Sequence, residues 1–332
     1  MNLIDVAKQF GTPEACNDFL ESMRWPDGPE CPRCHGKQVS KYVKQASTRK
    51  SGTRKGQPLP ARILYVCRQC KKQFSVTEGT IFNDTHLPLE KWYTAVALMV
   101  NAKKGVSAMQ LKRDLGTAYK TAWYLSHRIR QAMSLLEAAD EAPLTGTVEV
   151  DETYMGARKY DKRCKRAKYD KEPVFGMVER DGRAKTYHVR PMNRFNVIPK
   201  IEDKISISAD LVCTDESNLY DRMPANIQKH EIVNHSAKEW VRGDVHTGTI
   251  DGYWGLLKRG IIGSFHQISI KHLHRYLSEF QFRWNNREAQ DMFALVVAAL
   301  VIGSALPYAK LIEPLEGEAD KGPEVELDGE PF

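Results

Sequence analysis

The sequence lacks a hydrophobic run long enough to cross a lipid bilayer. Its longest apolar stretch, residues 292–306, includes Gly303 and Ser304. A membrane-spanning helix needs about 20 apolar residues, so this stretch predicts a buried core helix instead. The first residues also lack the long apolar core of a signal peptide. We therefore expect a cytoplasmic protein without a membrane partner.

Cysteine is scarce, and its spacing is unlike that of a disulfide scaffold. The seven cysteines include two Cys-x-x-Cys pairs, Cys31-Pro-Arg-Cys34 and Cys67-Arg-Gln-Cys70. Four thiolates in two such pairs suit a closed, tetrahedral structural zinc site. Free core thiols and a redox pair are the alternatives, and a redox pair would need a βαβ setting. The pattern predicts one zinc ion bound by Cys31, Cys34, Cys67 and Cys70.

Acidic residues are concentrated at the C-terminal end. Residues 313–332 hold eight acidic residues and one lysine, so the preceding 312 residues carry +14 although the whole chain carries +7. That charge suits a polyanion such as DNA. Residues 44–62, between the cysteine pairs, hold six Lys or Arg and no acid. This basic insert predicts a hairpin tip, which either contacts DNA or is a solvated loop.

Two predicted helices in the middle of the chain are joined by a glycine turn. Ser107 is a suitable N-cap for residues 108–115, Gly116 makes the turn, and residues 118–133 form the second helix. A helix-turn-helix places its second helix in the DNA major groove, but ordinary helical hairpins share the pattern. The residues that would meet DNA are Lys120, Thr121, Tyr124, His127 and Arg128.

Three aspartates stand where carboxylates can converge on divalent cations. Asp151 lies in an alternating strand-like run, Asp215 ends a short apolar run, and Asp251 begins a predicted helix that carries Lys258 on the same face. Aspartates are common, but an unpaired charge after apolar residues is costly. Two Mg²⁺ or Mn²⁺ ions about 4 Å apart can bind both the attacking and the leaving oxygen of a phosphodiester. The pattern predicts phosphoryl transfer on nucleic acid, with Lys258 beside a phosphate or a carboxylate.

From residue 146 the pattern changes to strands. Three strands, a helix, a fourth strand and later helices are typical of a ribonuclease-H-like fold. A basic loop spans residues 157–168, and a basic amphipathic helix spans residues 269–287. Both either bind DNA phosphates or form solvated surface. The predicted phosphate-binding residues are Arg158, Lys159, Arg163, Arg166, Arg259, Lys271 and Arg275.

Several short stretches occur in an order that carries a family resemblance. They are Cys31-Pro-Arg-Cys34, Cys67-Arg-Gln-Cys70, Val150-Asp-Glu-Thr-Tyr-Met-Gly156, Asn234-His-Ser236, Gly243-Asp-Val-His-Thr247, Tyr253-Trp-Gly-Leu-Leu-Lys-Arg-Gly260 and Lys271-His-Leu-His-Arg-Tyr-Leu277. With them the chain resembles bacterial insertion-sequence DDE-type transposases of the zinc-ribbon group, which are related to the Merlin transposons. The resemblance implies cleavage and strand transfer at terminal inverted repeats, two divalent metals, and a homodimer or higher oligomer in a synaptic complex. It also implies that Asp151 and Asp215 are the first two metal carboxylates and that Lys258 is the trailing lysine.

The third acidic position departs from the family pattern. Asp251 stands where the family usually has glutamate and sometimes asparagine, and Gly248 stands where asparagine is common. Aspartate keeps the charge but is shorter by one methylene, and a displacement of about 1 Å can reduce catalysis about a hundredfold. The alternative function is therefore a catalytically impaired or domesticated transposase that acts as a sequence-specific DNA-binding protein. A structure-specific nuclease of the same fold is disfavoured by the predicted end-recognition modules.

These observations predict an α+β multidomain protein. The predicted parts are N-terminal helices (1–26), a zinc ribbon with a basic insert (27–82), a helix-turn-helix-like DNA-binding region (87–140), an α/β ribonuclease-H-like transposase domain (146–306) and an acidic disordered tail (313–332).

Overall fold

Two short helices and a small antiparallel sheet form the N-terminal part of the fold. The computed structural model describes residues 1–313 except 54, 60, 157, 162–165 and 170. Its first elements are α1 (Leu3–Gln9), α2 (Pro13–Arg24), β1 (Val39–Lys44), β2 (Ser47–Thr48), β3 (Pro58–Leu59), β4 (Arg62–Cys67) and β5 (Gln73–Phe74). Strand β4 pairs with β1 and β5, and β2 pairs with β3 at the tip. The basic insert is therefore a hairpin, as predicted.

The middle of the chain is helical. It comprises α3 (Leu89–Asn101), α4 (Ala108–Leu115) and α5 (Tyr119–Ala139). The Ser107 hydroxyl caps α4 by accepting a hydrogen bond from the Gln110 amide at 3.1 Å. Gly116 ends α4 with φ +57°, a left-handed conformation that favours glycine. The predicted helix, glycine turn and helix are thus confirmed as local structure.

A five-stranded mixed sheet follows. Its region comprises β6 (Thr147–Met155), β7 (Arg158–Asp161), β8 (Arg166–Tyr169), β9 (Glu172–Glu179), β10 (Ala184–His188), α6 (Arg194–Lys204), β11 (Leu211–Thr214) and β12 (His230–Ile232). The strand order is β10-β9-β6-β11-β12, with β6, β9 and β10 antiparallel and with β11 parallel to β6 and β12. Together with the N-terminal sheet and helices, this confirms the predicted α+β fold class.

The basic segment after β6 differs from the prediction. We expected a loop at residues 157–168, but β7 and β8 pair there as an antiparallel ribbon. Backbone pairing can form in a charged segment because alternate side chains point to opposite faces. Arg158, Lys159 and Arg166 lie on these two strands, and Arg163 lies outside the described residues.

The C-terminal helices cover the sheet and complete the core. They are α7 (Gly248–Gly260), α8 (Leu273–Asn285), α9 (Met292–Ile302) and α10 (Tyr308–Ile312). Helix α7 packs on one face of the sheet, and α6 packs on the other. Helix α9 is the buried core helix that the apolar run predicts, and it shares a core with α2, α3, α5 and the N-terminal sheet. Within the described residues, no helix has the length and apolarity needed to cross a membrane.

A buried charge cluster joins α5 to α8. Arg130 is 1% exposed and donates a hydrogen bond to the fully buried Glu279 carboxylate at 2.6 Å. Arg283 donates to the same carboxylate from one turn further along α8. Removal of one partner from such a cluster leaves a buried charge without compensation, which costs about 3–5 kcal/mol. The cluster therefore specifies how α8 lies against α5.

Replacing His127 by phenylalanine is expected to make the protein less sensitive to acid. Burial, with the positive charges of Arg130, His272, Arg275 and His274, lowers the pKa of His127. A histidine whose pKa is lowered by folding contributes stability above its unfolded pKa, and this contribution is lost as pH falls. Between pH 7 and 5, His127 should cost the wild type about 2 kcal/mol of unfolding free energy. Chemical denaturation at both pH values measures this loss, and an equal loss in His127→Phe would contradict the prediction.

Candidate active site

Parallel pairing of β6 and β11 brings two of the predicted aspartates side by side, at the point where β11 ends. Cys213 on β11 lies opposite Glu149 on β6. Continuing this register by two residues places Asp215 beside Asp151. One carboxylate oxygen from each of these residues, and one from Glu152, lie within 4.8 Å of one another. Carboxylate oxygens are the ligands that magnesium prefers, so the group fits a divalent cation.

Burial and mutual repulsion shape the electrostatics of this carboxylate cluster, Asp151, Glu152 and Asp215. Burial, followed by the negative charges of Glu152 and Asp215, raises the pKa of Asp151 to about 7. Burial also raises the pKa of Glu152 and of Asp215. A cation bound among the three carboxylates would offset both the desolvation and the repulsion.

Neighbouring groups hold the carboxylates in place. The Tyr220 hydroxyl donates to Glu152 at 2.6 Å, and the Ser217 amide donates to Asp215 at 3.0 Å. Glu152 is a site residue that the sequence did not predict, since side chains at adjacent strand positions point to opposite faces. The available signal was the pair of adjacent acidic residues, Asp151 and Glu152, within a predicted strand.

Helix α7 contacts the carboxylate cluster through Trp254. The indole Nε1 of Trp254 donates to Asp151 Oδ2 at 2.9 Å. Gly176 lies opposite Asp151 on β9, and a Cβ atom there would lie 2.5 Å from the Trp254 ring. A glycine is therefore needed at this position for the indole to lie against the sheet and reach Asp151.

The third predicted acid is not part of the cluster. Asp251 is exposed in the first turn of α7, one turn before Trp254. Among the described residues, the group whose oxygens lie within 4.8 Å of one another contains Asp151, Glu152 and Asp215. Lys258 is also exposed on α7, and its spacing places it on the Asp251 face of the helix. The structure thus brings two of the three predicted aspartates together, and the third lies one helical turn from Trp254, which contacts Asp151.

The four predicted zinc ligands lie together at one end of the N-terminal sheet. Their sulfur atoms all lie within 4.8 Å of one another, with Cys31 Sγ to Cys70 Sγ at 3.7 Å and Cys34 Sγ to Cys67 Sγ at 3.5 Å. Zinc–sulfur bonds of about 2.3 Å in a tetrahedron place the sulfurs about 3.8 Å apart. The donor set and its spacing therefore fit one structural zinc ion.

Four of the predicted DNA-contacting residues have side chains at the surface. Lys120, Thr121 and Arg259 are exposed, and Lys271 is half-buried. The Lys120 ammonium lies 4.3 Å from the centre of the Tyr308 ring on α10. These side chains are available to a polyanion.

Three other candidates lie in the interior. Arg128 is 3% exposed, donates to the carbonyls of Ile81 and Asn83, and lies over the Trp92 ring. Arg275 is 9% exposed and donates to the Gln131 side chain, and His127 is fully buried. Because their polar atoms face the core, we replace the predicted DNA contacts of these three residues with structural roles.

The zinc ribbon and the α/β domain together have the architecture of a transposase. A family model described as a transposase zinc-ribbon domain matches residues 11–73, and one described as an ISXO2-like transposase domain matches residues 143–285. A protein in transposable element ISH50 of Halobacterium salinarum is 27% identical over 297 residues, which are 83% of this chain and 92% of that protein. The chain belongs to the insertion-sequence transposases that combine these two domains, as its sequence predicted.

Proposed function

We propose that this transposase binds the terminal inverted repeats of an insertion sequence and performs metal-dependent DNA cleavage and strand transfer. The main support is the cluster of Asp151, Glu152 and Asp215 where β11 ends beside β6, inside the matched transposase domain. Two Mg²⁺ or Mn²⁺ ions held there would supply Lewis acidity to the reacting phosphodiester and lower the pKa of water. No serine or tyrosine nucleophile is part of the proposal.

The residues of the site would have different roles, some in binding the ions and one in contacting the DNA. Asp151 and Asp215 would bind the cations, with Trp254 fixing the orientation of the Asp151 carboxylate by its hydrogen bond. Asp251 would be the third ligand, since it lies one turn from Trp254 on α7. The exposed Lys258 would neutralise a DNA phosphate.

DNA recognition is assigned to the basic surface outside the carboxylate cluster. Lys120 and Thr121 at the start of α5, and Arg259 on α7 and Lys271 just before α8, would contact phosphates or base edges. The β7–β8 ribbon would bring Arg158, Lys159 and Arg166 to the same DNA. Phosphate contacts fix the register of a protein on DNA, and base contacts supply its specificity. An element has two ends, so we propose that a homodimer or higher oligomer holds both.

Purified wild-type protein should join labelled ends of its own element to target DNA in the presence of Mg²⁺ or Mn²⁺. The Asp151→Asn protein should bind the same ends and yield no joined product, because asparagine removes the charge and keeps the shape. Sequence-specific binding without cleavage by the wild type would instead support the second candidate, a DNA-binding protein without chemistry. The position of Asp251 outside the carboxylate cluster favours that candidate.

Replacing Asp251 by glutamate is expected to raise the rate of strand transfer about tenfold or more. Glutamate is the residue that the family resemblance implies here, its side chain reaches one methylene further than aspartate, and errors of about 1 Å in a catalytic site can cost about a hundredfold. Single-turnover strand transfer measures the change, with Asp251→Ala as the variant that should be slower than wild type. A lower rate for Asp251→Glu than for wild type would show that α7 is already placed for the shorter side chain.

A further inference from the structure

Glu149 is a fully buried carboxylate that the proposed chemistry does not use. It lies two residues before Asp151 on β6, so both side chains point to the face that α7 covers. A carboxylate with no exposure is costly unless charges and hydrogen-bond donors surround it. The partners of Glu149 therefore indicate why the residue is there.

Those partners are at the beginning of α7. The amides of Thr249 and Ile250 donate to Glu149 Oε2 at 2.7 and 2.9 Å, and the Thr249 hydroxyl donates to Oε1 at 3.0 Å. The N-cap residue of α7, Thr247, makes no side-chain capping hydrogen bond. The amides of the first helical turn need an acceptor, and a negative charge there also favours the helix dipole. Glu149 supplies both from a strand that is about 100 residues earlier in the chain.

An arginine fastens the segment before α7 to the same carboxylate. Arg180 Nε donates to Glu149 Oε1 at 2.7 Å. The same guanidinium donates to the carbonyl oxygens of Asp244 at 2.7 Å and His246 at 3.1 Å. The ring nitrogen of His246 also lies 3.3 Å from Glu149 Oε1. Strand β6, the end of β9 and the entry to α7 are thus joined at one buried point.

We propose that Glu149 is a positioning residue that fixes the first turn of α7, and with it Asp251, relative to Asp151 on β6. Asp251 follows Ile250 directly, so a shift of the turn moves its carboxylate. Trp254 and Lys258 lie further along the same helix and would move with it. The consequence for DNA chemistry rests on the proposed function. The effect of Glu149 on the stability of the first turn of α7 can be measured without any activity.

The experiment compares Glu149→Gln with a matched control, Glu179→Gln. Glu179 lies on the same sheet and accepts hydrogen bonds from the amide and hydroxyl of Thr145, at 2.9 and 2.6 Å, with Arg183 beside it. It therefore has the same kinds of partner as Glu149, without the bond to α7. Hydrogen exchange in the 247–254 segment should be at least about tenfold faster in Glu149→Gln and unchanged in Glu179→Gln.

Strand transfer supplies the second readout. Glu149→Gln should lower the single-turnover rate at least about tenfold while the affinity for element ends stays within about twofold of wild type. Unchanged exchange at 247–254 in Glu149→Gln would overturn the proposal, and so would an equal loss of rate in both variants. If wild type transfers no strands, the proposed function fails and the exchange measurement still decides the role of Glu149.

A milder substitution tests the proposal if the Glu149→Gln protein does not fold. Thr249→Val removes the hydroxyl that donates to Glu149 and preserves the shape of the side chain. Exchange at 247–254 should then be faster than in wild type by a smaller factor than in Glu149→Gln. Wild-type exchange rates in Thr249→Val, with no folded Glu149→Gln protein to set against them, would overturn the proposal.

Discussion

Replacing Asp215 by asparagine is expected to reduce strand transfer at least about a thousandfold. Metal-dependent steps rely on charge neutralisation that is worth several kcal/mol, and asparagine removes one of the anionic ligands. The substitution keeps the oxygen that accepts the Ser217 amide at 3.0 Å. Single-turnover assays with labelled element ends measure the loss, and gel shifts on the same DNA should show binding close to that of wild type.

The thermal stability of the Asp215→Asn protein distinguishes a metal-binding role of Asp215 from a structural one. Burial raises the pKa of Asp215, and the charge of Asp215 helps to raise that of Asp151. Removing this charge relieves repulsion in the metal-free protein, so its thermal stability should not fall. The matched control is Asp210→Asn, an exposed aspartate at the other end of β11 that should keep full activity. If Asp215→Asn loses activity and stability together, the residue has a structural role instead.

Short-range patterns in the sequence predicted the parts of the fold that local chemistry determines. Ser107, the turn at Gly116 and the start of α4 follow from capping and left-handed glycine geometry. The two Cys-x-x-Cys pairs follow from metal-ligand spacing, and their sulfurs meet as expected. Asp151 and Asp215 could be proposed as partners because each follows apolar residues of a predicted strand, but the parallel register that pairs them is seen in the structure alone.

Longer-range packing explains the features that could not be predicted from the sequence. The helical period assigns Arg128 and Arg275 to polar positions, but it does not show which elements cover them. The carbonyl groups of residues 81 and 83 cover Arg128, and Gln131 on α5 accepts from Arg275. The β12 strand has three residues, which is too short for an alternating pattern. The role of Glu149 depends on partners about 100 positions away, so its local sequence carried no signal.

Replacing Cys67 by serine is expected to abolish zinc binding and unfold the zinc ribbon. Cys67 is fully buried at the end of β4 and lies among the other three sulfurs. Binding of zinc to a structural site is worth about 10–16 kcal/mol near pH 7, and a hydroxyl is a poor replacement for a thiolate. Zinc analysis should give one ion per chain for wild type and none for Cys67→Ser. Limited proteolysis should then show new cleavage within residues 27–82.

The matched control is Cys16→Ser, because Cys16 is equally buried and lies outside the four-cysteine cluster. It should retain one zinc ion and the wild-type pattern of cleavage. A full equivalent of zinc in Cys67→Ser would contradict the assignment of the ligands.

The cleavage in Cys67→Ser should also extend beyond the ribbon, since Tyr65 on β4 accepts a hydrogen bond from Asn17 and donates to Glu21, both on α2. Helix α2 packs on α9 in the shared core, so loss of the zinc should loosen contacts well outside the residues that bind it.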